Sequence, residues 1–222
     1  MTATATATAV AFAGSGLLRP DGAPPDGGPV VLRSRCGRLI SLHPERWHAA
    51  PPPEEVAALA GLADPVIDLA CGPGRLVRHL LDAGVRAMGV DTAPDAVAAA
   101  RHRGVPALQA DLWSPLPGEG AWGAVLLFDG NIGIGADPVA LLARCRRLLA
   151  PGGTVVAEVG PPGSGAGPLE VRIERGSWAS HWFPWAVVGA DDIDGLAGPA
   201  GFEVRELRGR GFRRFAHLAA AR

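Results

Sequence analysis

The sequence predicts an α/β protein with a doubly wound, mostly parallel sheet. From Val66 onward, short apolar runs of strand length alternate with helical segments, which is typical of a parallel sheet covered by helices on both faces. The first run ends in a glycine turn, Gly72 to Gly74, that leads directly into a helix. Acidic residues recur where successive predicted strands end, so we expect a ligand site at that edge of the sheet.

The composition limits the classes of protein to which the chain can belong. Its 222 residues carry 21 basic and 22 acidic side chains, for a net charge of −1, and all the basic ones are arginine. No basic run accompanies this balance, so nucleic acid is not an expected partner. The three cysteines, Cys36, Cys71 and Cys145, lack metal-ligand spacing, which predicts reduced thiols, a cytoplasmic location and no bound metal.

One domain is expected over residues 29–222, after a disordered tail at 1–28. The tail is rich in Thr and Ala and then in Pro, Gly and Asp, and its first arginine, Arg19, comes too late for a signal peptide. No later segment is long and apolar enough to cross a membrane. The sequence leaves open whether the protein is a monomer or a homodimer.

The N-terminal elements precede the alternation. Two apolar runs at 30–33 and 38–42 predict a hairpin or an extended entry segment. A helix is predicted over 53–60, because a proline and two glutamates occupy its first turn. The alternation that follows predicts strands at 66–70, 86–90, 106–110, 123–128 and 153–159, and helices at 75–83, 94–103 and 137–149.

The C-terminal third changes character. A strand is predicted at 169–173, and an irregular aromatic segment at 177–188 forms an insertion near 169–188. A helix is predicted over 190–199, with acidic residues in its early turns. Apolar runs at 202–207 and 212–218 flank Gly209 and Gly211 and predict a closing antiparallel hairpin.

Four carboxylates are predicted near one edge of the sheet: Asp68, Asp91, Asp111 and Asp129. Because ligands of open α/β sheets bind outside the carboxyl ends of the strands, these side chains are expected to line one crevice. The glycine turn is expected to direct backbone N–H groups at the ligand. Asp91 follows the turn by about 20 residues, a spacing that suits a carboxylate accepting from both hydroxyls of a ribose.

A nicotinamide dinucleotide fold is the alternative for the same turn. Its fingerprint needs a third glycine, three residues after the second, so that the helix packs closely over a pyrophosphate. Position 77 is Val77, which disfavours a nicotinamide-dependent oxidoreductase.

With these motifs, the chain resembles the class I S-adenosylmethionine-dependent methyltransferases of small molecules. The resemblance covers about Arg46 to the C-terminus and is most specific at 66–74, 89–91, 110–112 and 149–153. It implies a Rossmann-like methyltransferase fold with seven strands, S-adenosylmethionine as cofactor and S-adenosylhomocysteine as product. It implies that the methionine portion of the cofactor lies at Asp68, Ala70, Cys71, Gly72 and Gly74, and the ribose at Asp91 and Thr92. It implies that the adenine lies at Ala110, Asp111 and Leu112, and the sulfonium at Phe128 and Asp129.

One residue departs from the family pattern. The family has glycine where this chain has Ala70, and the extra methyl is expected to crowd the amino-acid end of the cofactor. An alternative function therefore stays open, in which the bound cofactor serves a reaction other than methylation. A macromolecular acceptor is disfavoured, because Asp129 and Asn131 stand where many methyltransferases of bases and protein side chains carry an Asn-Pro-Pro-aromatic motif.

The acceptor site is predicted from fewer signals. Asp129, Asn131 and His181 are the candidate catalytic residues, although Asp129 also suits cofactor contact and Asn131 also suits bracing of its loop. Trp47, Trp182 and Trp185 are the candidate walls of a pocket for a small-molecule acceptor; the alternative is that these rings only cover the sheet. Three arginines of one predicted helix are expected to be solvated: Arg144, Arg146 and Arg147.

Overall fold

The computed structural model of the protein describes residues 29–221 as two β-sheets with flanking helices. The tail predicted at 1–28 lies outside the described residues. The strands are β1 (Val30–Ser34), β2 (Leu39–Leu42), β3 (Val66–Leu69), β4 (Ala87–Asp91), β5 (Ala107–Gln109), β6 (Trp122–Leu127), β7 (Leu149–Val159), β8 (Ala166–Arg175), β9 (Trp178–Ala179), β10 (Phe183–Val188), β11 (Phe202–Arg208) and β12 (Arg214–Ala220).

Seven strands form the main sheet in the order β11-β12-β7-β6-β3-β4-β5. The five strands from β3 to β7 run parallel to one another, whereas β12 and β11 pair antiparallel at one edge. The prediction of an α/β fold with a mostly parallel, seven-stranded sheet and a C-terminal hairpin is confirmed. Because the strand order reverses between β3 and β6, a crevice opens at their carboxyl ends.

The helices begin where the sequence supplies start signals. Prolines lie in the first turns of α1 (Pro44–His48), α2 (Pro53–Leu59), α4 (Pro94–His102) and α5 (Pro138–Leu148), whereas α3 (Arg75–Asp82) starts from the left-handed Gly74. The helix predicted at 190–199 is shorter, because α6 (Ile193–Ala197) gives way to a 3-10 turn containing Gly198 and Pro199. None of the helices among residues 29–221 has the length and apolarity that a membrane crossing requires.

The second sheet is antiparallel and differs from expectation. Strands β10, β8, β1 and β2 pair in that order, and the short β9 pairs with β8. The prediction of an irregular segment at 177–188 is therefore wrong, since that segment contains β9 and β10. Phe183, Trp185 and Val188 turn inward from β10, and such residues suit a half-buried strand once a partner strand is present. The runs at 30–33 and 38–42 form the hairpin β1–β2.

Strand β10 joins the second sheet to the main one. It packs against a glycine-rich 3-10 helix, Asn131–Ala136, that follows β6. A Cβ atom on Gly133 would overlap the carbonyl oxygen of Ala186 and lie 2.7 Å from Trp185 Nε1. Only glycine permits so close an approach, so the spacing between the two sheets depends on this position.

The core occupies both faces of the main sheet. On one face, buried apolar residues of α5 and α6 continue into the inner side of the second sheet, where Ile173 and Phe183 are almost fully buried. On the other face, α2, α3 and α4 cover a second cluster in which the rings of Phe128 and Phe215 lie 4.9 Å apart. The crevice at the strand ends is therefore held by rigid packing on both sides.

Two glycine substitutions test how the sheets meet. Gly133→Ala is expected to lower the free energy of unfolding by about 1–3 kcal/mol, because the new methyl forces β10 away. Gly195→Ala is the matched control: it lies inside α6 with no atom within 4 Å of the added methyl, so stability should rise by about 0.5–1 kcal/mol. Urea unfolding measures both, and equal effects of the two changes would contradict this packing.

Candidate functional site

The crevice lies at the carboxyl ends of β3, β4, β5 and β6. Leu32 and Leu42 of the second sheet close one side of it. Most of the site residues predicted from the sequence line its walls: Trp47, Ala70, Cys71, Gly72, Asp91, Thr92, Ala110, Asp111, Leu112, Asp129, Asn131 and Trp185.

The glycine turn is fastened to β4 rather than open to a ligand. The Gly72 N–H donates to Asp91 Oδ2 at 2.8 Å, and the Cys71 N–H donates to the Val90 carbonyl at 3.1 Å. The Gly74 N–H closes the turn onto the Cys71 carbonyl at 3.1 Å. The expectation that these N–H groups point at a ligand is therefore wrong. They fix the position of the turn, whose outer surface lines the crevice.

Ala70 stands where the backbone demands an unusual conformation. Its φ is +57°, in the left-handed region that favours glycine, which explains why glycine suits this position. The Asn131 side-chain amide donates to the carbonyls of Leu69 and Ala70, at 3.0 and 3.1 Å. Asn131 thus braces the end of β3, which is the second of the two roles that its sequence position suggests.

Two glycines around the turn are required for packing. A Cβ on Gly74 would lie 3.0 Å from a methyl of Val105 and 3.1 Å from that of Ala100, so Gly74 supports the crevice from behind without lining it. A Cβ on Gly89, in the neighbouring strand β4, would lie 2.8 Å from the Cβ of Cys71. These absent methyl groups let the turn pack closely against β4 and α4.

Asp91 and Asp111 end adjacent strands and offer acceptor oxygens to the crevice. Asp91 Oδ1 accepts from the Ala93 N–H at 2.9 Å, and burial raises the pKa of the Asp91 carboxyl. Asp111 Oδ1 accepts from the Trp113 N–H at 3.0 Å, which shapes the loop after β5. A carboxylate oxygen holds two lone pairs, so both residues retain acceptor capacity for a ligand.

Arg144 holds the loop that carries Asp111, contrary to expectation. It was expected to be solvated, yet it is only 2% exposed. Its guanidinium donates at 2.7 Å to the carbonyls of Leu112 and Ser114 and to the carboxylate of Glu119. The physical reason is that these backbone carbonyls need a donor inside the protein, and a planar guanidinium satisfies several at once.

Asp68 lies below the turn, almost completely buried at 2% exposure, and does not line the crevice. Burial raises the pKa of its carboxyl to about 8, with further contributions from the negative charges of Asp129, Asp91 and Glu55, and Arg75 acts in the opposite direction. Asp68 is therefore held largely protonated near neutral pH, until a positive charge comes close.

Five charged side chains form an ion network at the wall of the crevice: Glu55, Arg75, Asp129, Glu158 and Arg213. Arg75 bonds both oxygens of the fully buried Glu55 and donates to Asp129 Oδ2 at 2.7 Å. Arg213 donates to both oxygens of Glu158, at 2.7 and 2.8 Å, and bonds Glu55 as well. The Asp129 N–H donates to Glu158 Oε2 at 2.7 Å, which closes the ring.

The network defines what Asp129 can do. One of its oxygens accepts from Arg75, and the other lies 3.4 Å from a guanidinium nitrogen of Arg213. Its φ is +55°, so the turn after β6 is held in a left-handed conformation at this residue. With both oxygens directed to guanidinium groups, Asp129 is suited to fixing the turn rather than to removing a proton.

Besides Asp68 and Gly74, three more predicted site residues lie away from the crevice. Phe128 is 1% exposed and stacks on Phe215, on the opposite face of the main sheet. Trp182 lies between the guanidinium groups of Arg35 and Arg172, 4.4 and 4.9 Å from its ring centre. His181 is exposed at the surface and also lies outside the crevice lining. Trp185 lies in β10 and lines the crevice. Trp182 and His181 precede β10 and do not line it.

A second, wider space opens from the crevice. This groove runs between β2, α1, β10 and the turn that joins β11 to β12. Leu42, Trp47, Asp129 and Trp185 line both spaces, so they mark the opening between the crevice and the groove. A molecule in the groove can therefore reach a ligand held in the crevice.

Comparison with known proteins finds a methyltransferase domain in the middle of the chain. Residues 66–153, which include the glycine turn, Asp91, Asp111 and Asp129, match the family model described as a methyltransferase domain. Over these residues the chain therefore matches a methyltransferase domain, in agreement with its resemblance to the class I S-adenosylmethionine-dependent methyltransferases. It is 33% identical over 132 residues to trans-aconitate 2-methyltransferase of Mycobacterium tuberculosis, covering 57% of this chain and 48% of that protein. Trans-aconitate 2-methyltransferase of a Mycobacterium species is 35% identical over 125 residues, covering 54% and 46%. The chain thus spans about half the length of the curated relatives it matches.

Solved methyltransferase structures share the fold. A S-adenosylmethionine-dependent methyltransferase from Bacteroides fragilis, in complex with S-adenosylhomocysteine, superposes with a TM-score of 0.75 at 17% identity, covering 97% of each chain. The 1,6-didemethyltoxoflavin-N1-methyltransferase of Burkholderia thailandensis superposes with a TM-score of 0.61 at 19% identity, covering 77% of each chain. The first of these similarities extends over both sheets.

The ion network predicts a large effect of one arginine. Arg75→Gln should lower the free energy of unfolding by about 3–5 kcal/mol, because it removes the shared partner of two carboxylates, one of them fully buried. Arg78→Gln is the matched control on the same helix, since its pair with Asp82 is exposed and contributes little. Urea unfolding compares the two, and similar losses would contradict the network.

The raised pKa of Asp68 predicts how the free energy of unfolding depends on pH. Its pKa is about 8 in the native state, against about 4 for an unfolded carboxyl, so the native state holds a proton that the unfolded state releases between these values. This contribution to stability is complete below about pH 4 and is lost as the pH rises towards 8. Asp68→Asn, which mimics the protonated form, should therefore gain stability relative to the wild type between about pH 5 and about pH 8. Urea unfolding at both pH values measures this, with the exposed Asp95→Asn as control, and parallel pH profiles for all three proteins would refute it.

Proposed function

We propose that the protein transfers a methyl group from S-adenosylmethionine to a small-molecule acceptor and releases S-adenosylhomocysteine. The observation that carries the proposal is the placement of Asp91 and Asp111 at the ends of adjacent strands, on the wall of one crevice. The methyltransferase match over 66–153 includes both residues, and the curated relatives are methyltransferases by name.

The residues of the crevice fit this cofactor by the chemistry of their polar groups. The Asp91 carboxylate is fixed by two backbone N–H groups and keeps lone pairs for the two hydroxyls of a ribose. Asp111 would accept from the adenine amino group, with Ala110 and Leu112 beside the ring. Thr92 lies next to the ribose position.

The methionine portion would lie along the glycine turn. Ala70, Cys71 and Gly72 form that wall of the crevice. The methyl of Ala70 occupies space that glycine would leave open, and the bracing by Asn131 fixes its position. Asp68, below the turn, is the buried carboxyl that a cationic ammonium group would help to ionise.

The chain contributes alignment and exclusion of water. When bound, S-adenosylmethionine supplies an electrophilic methyl: the acceptor's lone pair bonds to it as the carbon–sulfur bond breaks and S-adenosylhomocysteine leaves. Trp47 and Trp185 stand at the opening through which an acceptor would approach, and their rings keep water from it. At this opening, both carboxylate oxygens of Asp129 face guanidinium groups, so Asp129 is not placed to remove a proton. The reaction therefore suits an acceptor that needs no base from the protein.

Calorimetry with S-adenosylmethionine tests the cofactor assignment. The wild type should bind, and Asp91→Ala should weaken binding by about tenfold to a hundredfold, because a hydrogen bond to a charged group contributes about 1.5–3 kcal/mol. Asp95→Ala is the control, since this carboxylate lies on the exposed first turn of α4. Thermal unfolding of each variant separates lost binding from lost folding.

Two results would decide against the assignment. The absence of detectable binding by the wild type at millimolar ligand would overturn the proposed function. Unchanged affinity in Asp91→Ala would overturn the ribose contact alone. Methyl transfer itself is followed by mass spectrometry of candidate acceptors: a gain of one methylene supports the proposal, whereas an isomer of the substrate supports a reaction other than methylation.

A further inference from the structure

The groove that opens from the crevice carries positive charge without matching negative charge. Three arginines line it from segments far apart in the chain: Arg38 precedes β2, Arg46 lies in α1 and Arg210 lies in the turn between β11 and β12. Within residues 29–221, none of the three has a carboxylate within ion-pair distance. Only Arg38 makes a side-chain hydrogen bond there, to the Ser164 carbonyl at 2.9 Å.

The acidic residues of the groove do not offset these arginines. Asp129 and Glu158 are both bound by Arg213, within the ion network. His43 lines the groove and lies 3.1 Å from the carboxylate of the exposed Glu45, which is not part of the lining. Glu54, in the first turn of α2, is the one acidic side chain of the lining that has no arginine partner among the described residues. The groove thus has three arginines without a carboxylate partner against one such glutamate, an excess of positive charge that favours an anionic ligand.

Apolar side chains accompany the arginines. Phe212 is 88% exposed and Leu39 is 54% exposed, and both line the groove. Exposed large apolar side chains beside a concave surface mark a place where a ligand covers them. The groove therefore combines an apolar wall with positive charges at its rim.

We propose that the acceptor is a small organic acid, whose apolar part packs against Leu39 and Phe212 and whose oxyanion is bound by Arg38, Arg46 and Arg210. The inference rests on the proposed function, because the groove meets the crevice at Trp47 and Trp185. Guanidinium groups bind carboxylates and phosphates through paired hydrogen bonds, which is the recognition that this arrangement offers.

A matched pair of probes tests the charge of the ligand. We expect 3-phenylpropionate to bind the protein, loaded with S-adenosylhomocysteine, at least fivefold more tightly than 3-phenylpropionamide in a ligand-observed NMR titration at low salt. The two molecules share the apolar part and differ in the charge. Arg46→Gln and Arg210→Gln should each reduce this preference, and the double variant should abolish it. Phe212→Ser, at an exposed position, should weaken both probes equally.

The controls separate this inference from the proposed function. Arg147→Gln, an exposed arginine of α5 outside the groove, should leave the preference for the acid unchanged. Calorimetry with S-adenosylhomocysteine on the same samples should give one affinity for the wild type and all the arginine variants. If the cofactor product binds but the amide binds as tightly as the acid, or neither probe binds, the inference fails and the proposed function stands. If the cofactor product does not bind, the proposed function fails.

Discussion

The structure depends most on the buried ion network of Glu55, Arg75, Asp129, Glu158 and Arg213. These residues come from α2, α3, the turn after β6, β7 and the segment before β12, so one set of charges joins five parts of the chain. Each charge is buried or partly buried and is stable there only because its partners are present. The network holds the left-handed turn at Asp129, a residue that lines both the crevice and the groove.

The network also separates the two binding surfaces by charge. Because it binds the carboxylates nearest the opening, the carboxylates of the crevice lining that stay outside the network are those of Asp91 and Asp111, after β4 and β5. Three arginines without carboxylate partners, Arg38, Arg46 and Arg210, line the groove. A ligand rich in hydroxyl and amino groups suits the first surface, and an acid suits the second. The opening lined by Trp47 and Trp185 is where the two would meet.

Local patterns in the sequence predicted the main sheet and most of the crevice, because each strand, turn and helix of that sheet is formed by consecutive residues. They could not predict the second sheet, where β1 pairs with β8 across most of the chain. They also missed Glu55, Glu158 and Arg213, whose partners come from distant segments. Arg144 belongs to an arginine-rich segment that is typical of the solvated face of a helix. Its partners include backbone carbonyls, which a pattern of side chains cannot predict. Trp182 and Trp185 share one aromatic segment, and only the pairing of β10 decides which of them faces inward.

We propose above all that the crevice holds S-adenosylmethionine with its reactive end towards the groove. A crystal structure of the full chain with S-adenosylhomocysteine tests this most directly. The claim predicts the ribose at Asp91, the adenine at Asp111 and the sulfur at the opening between Asp129 and Trp185. A ligand bound elsewhere, or one in this crevice with its sulfur directed away from the groove, would contradict it.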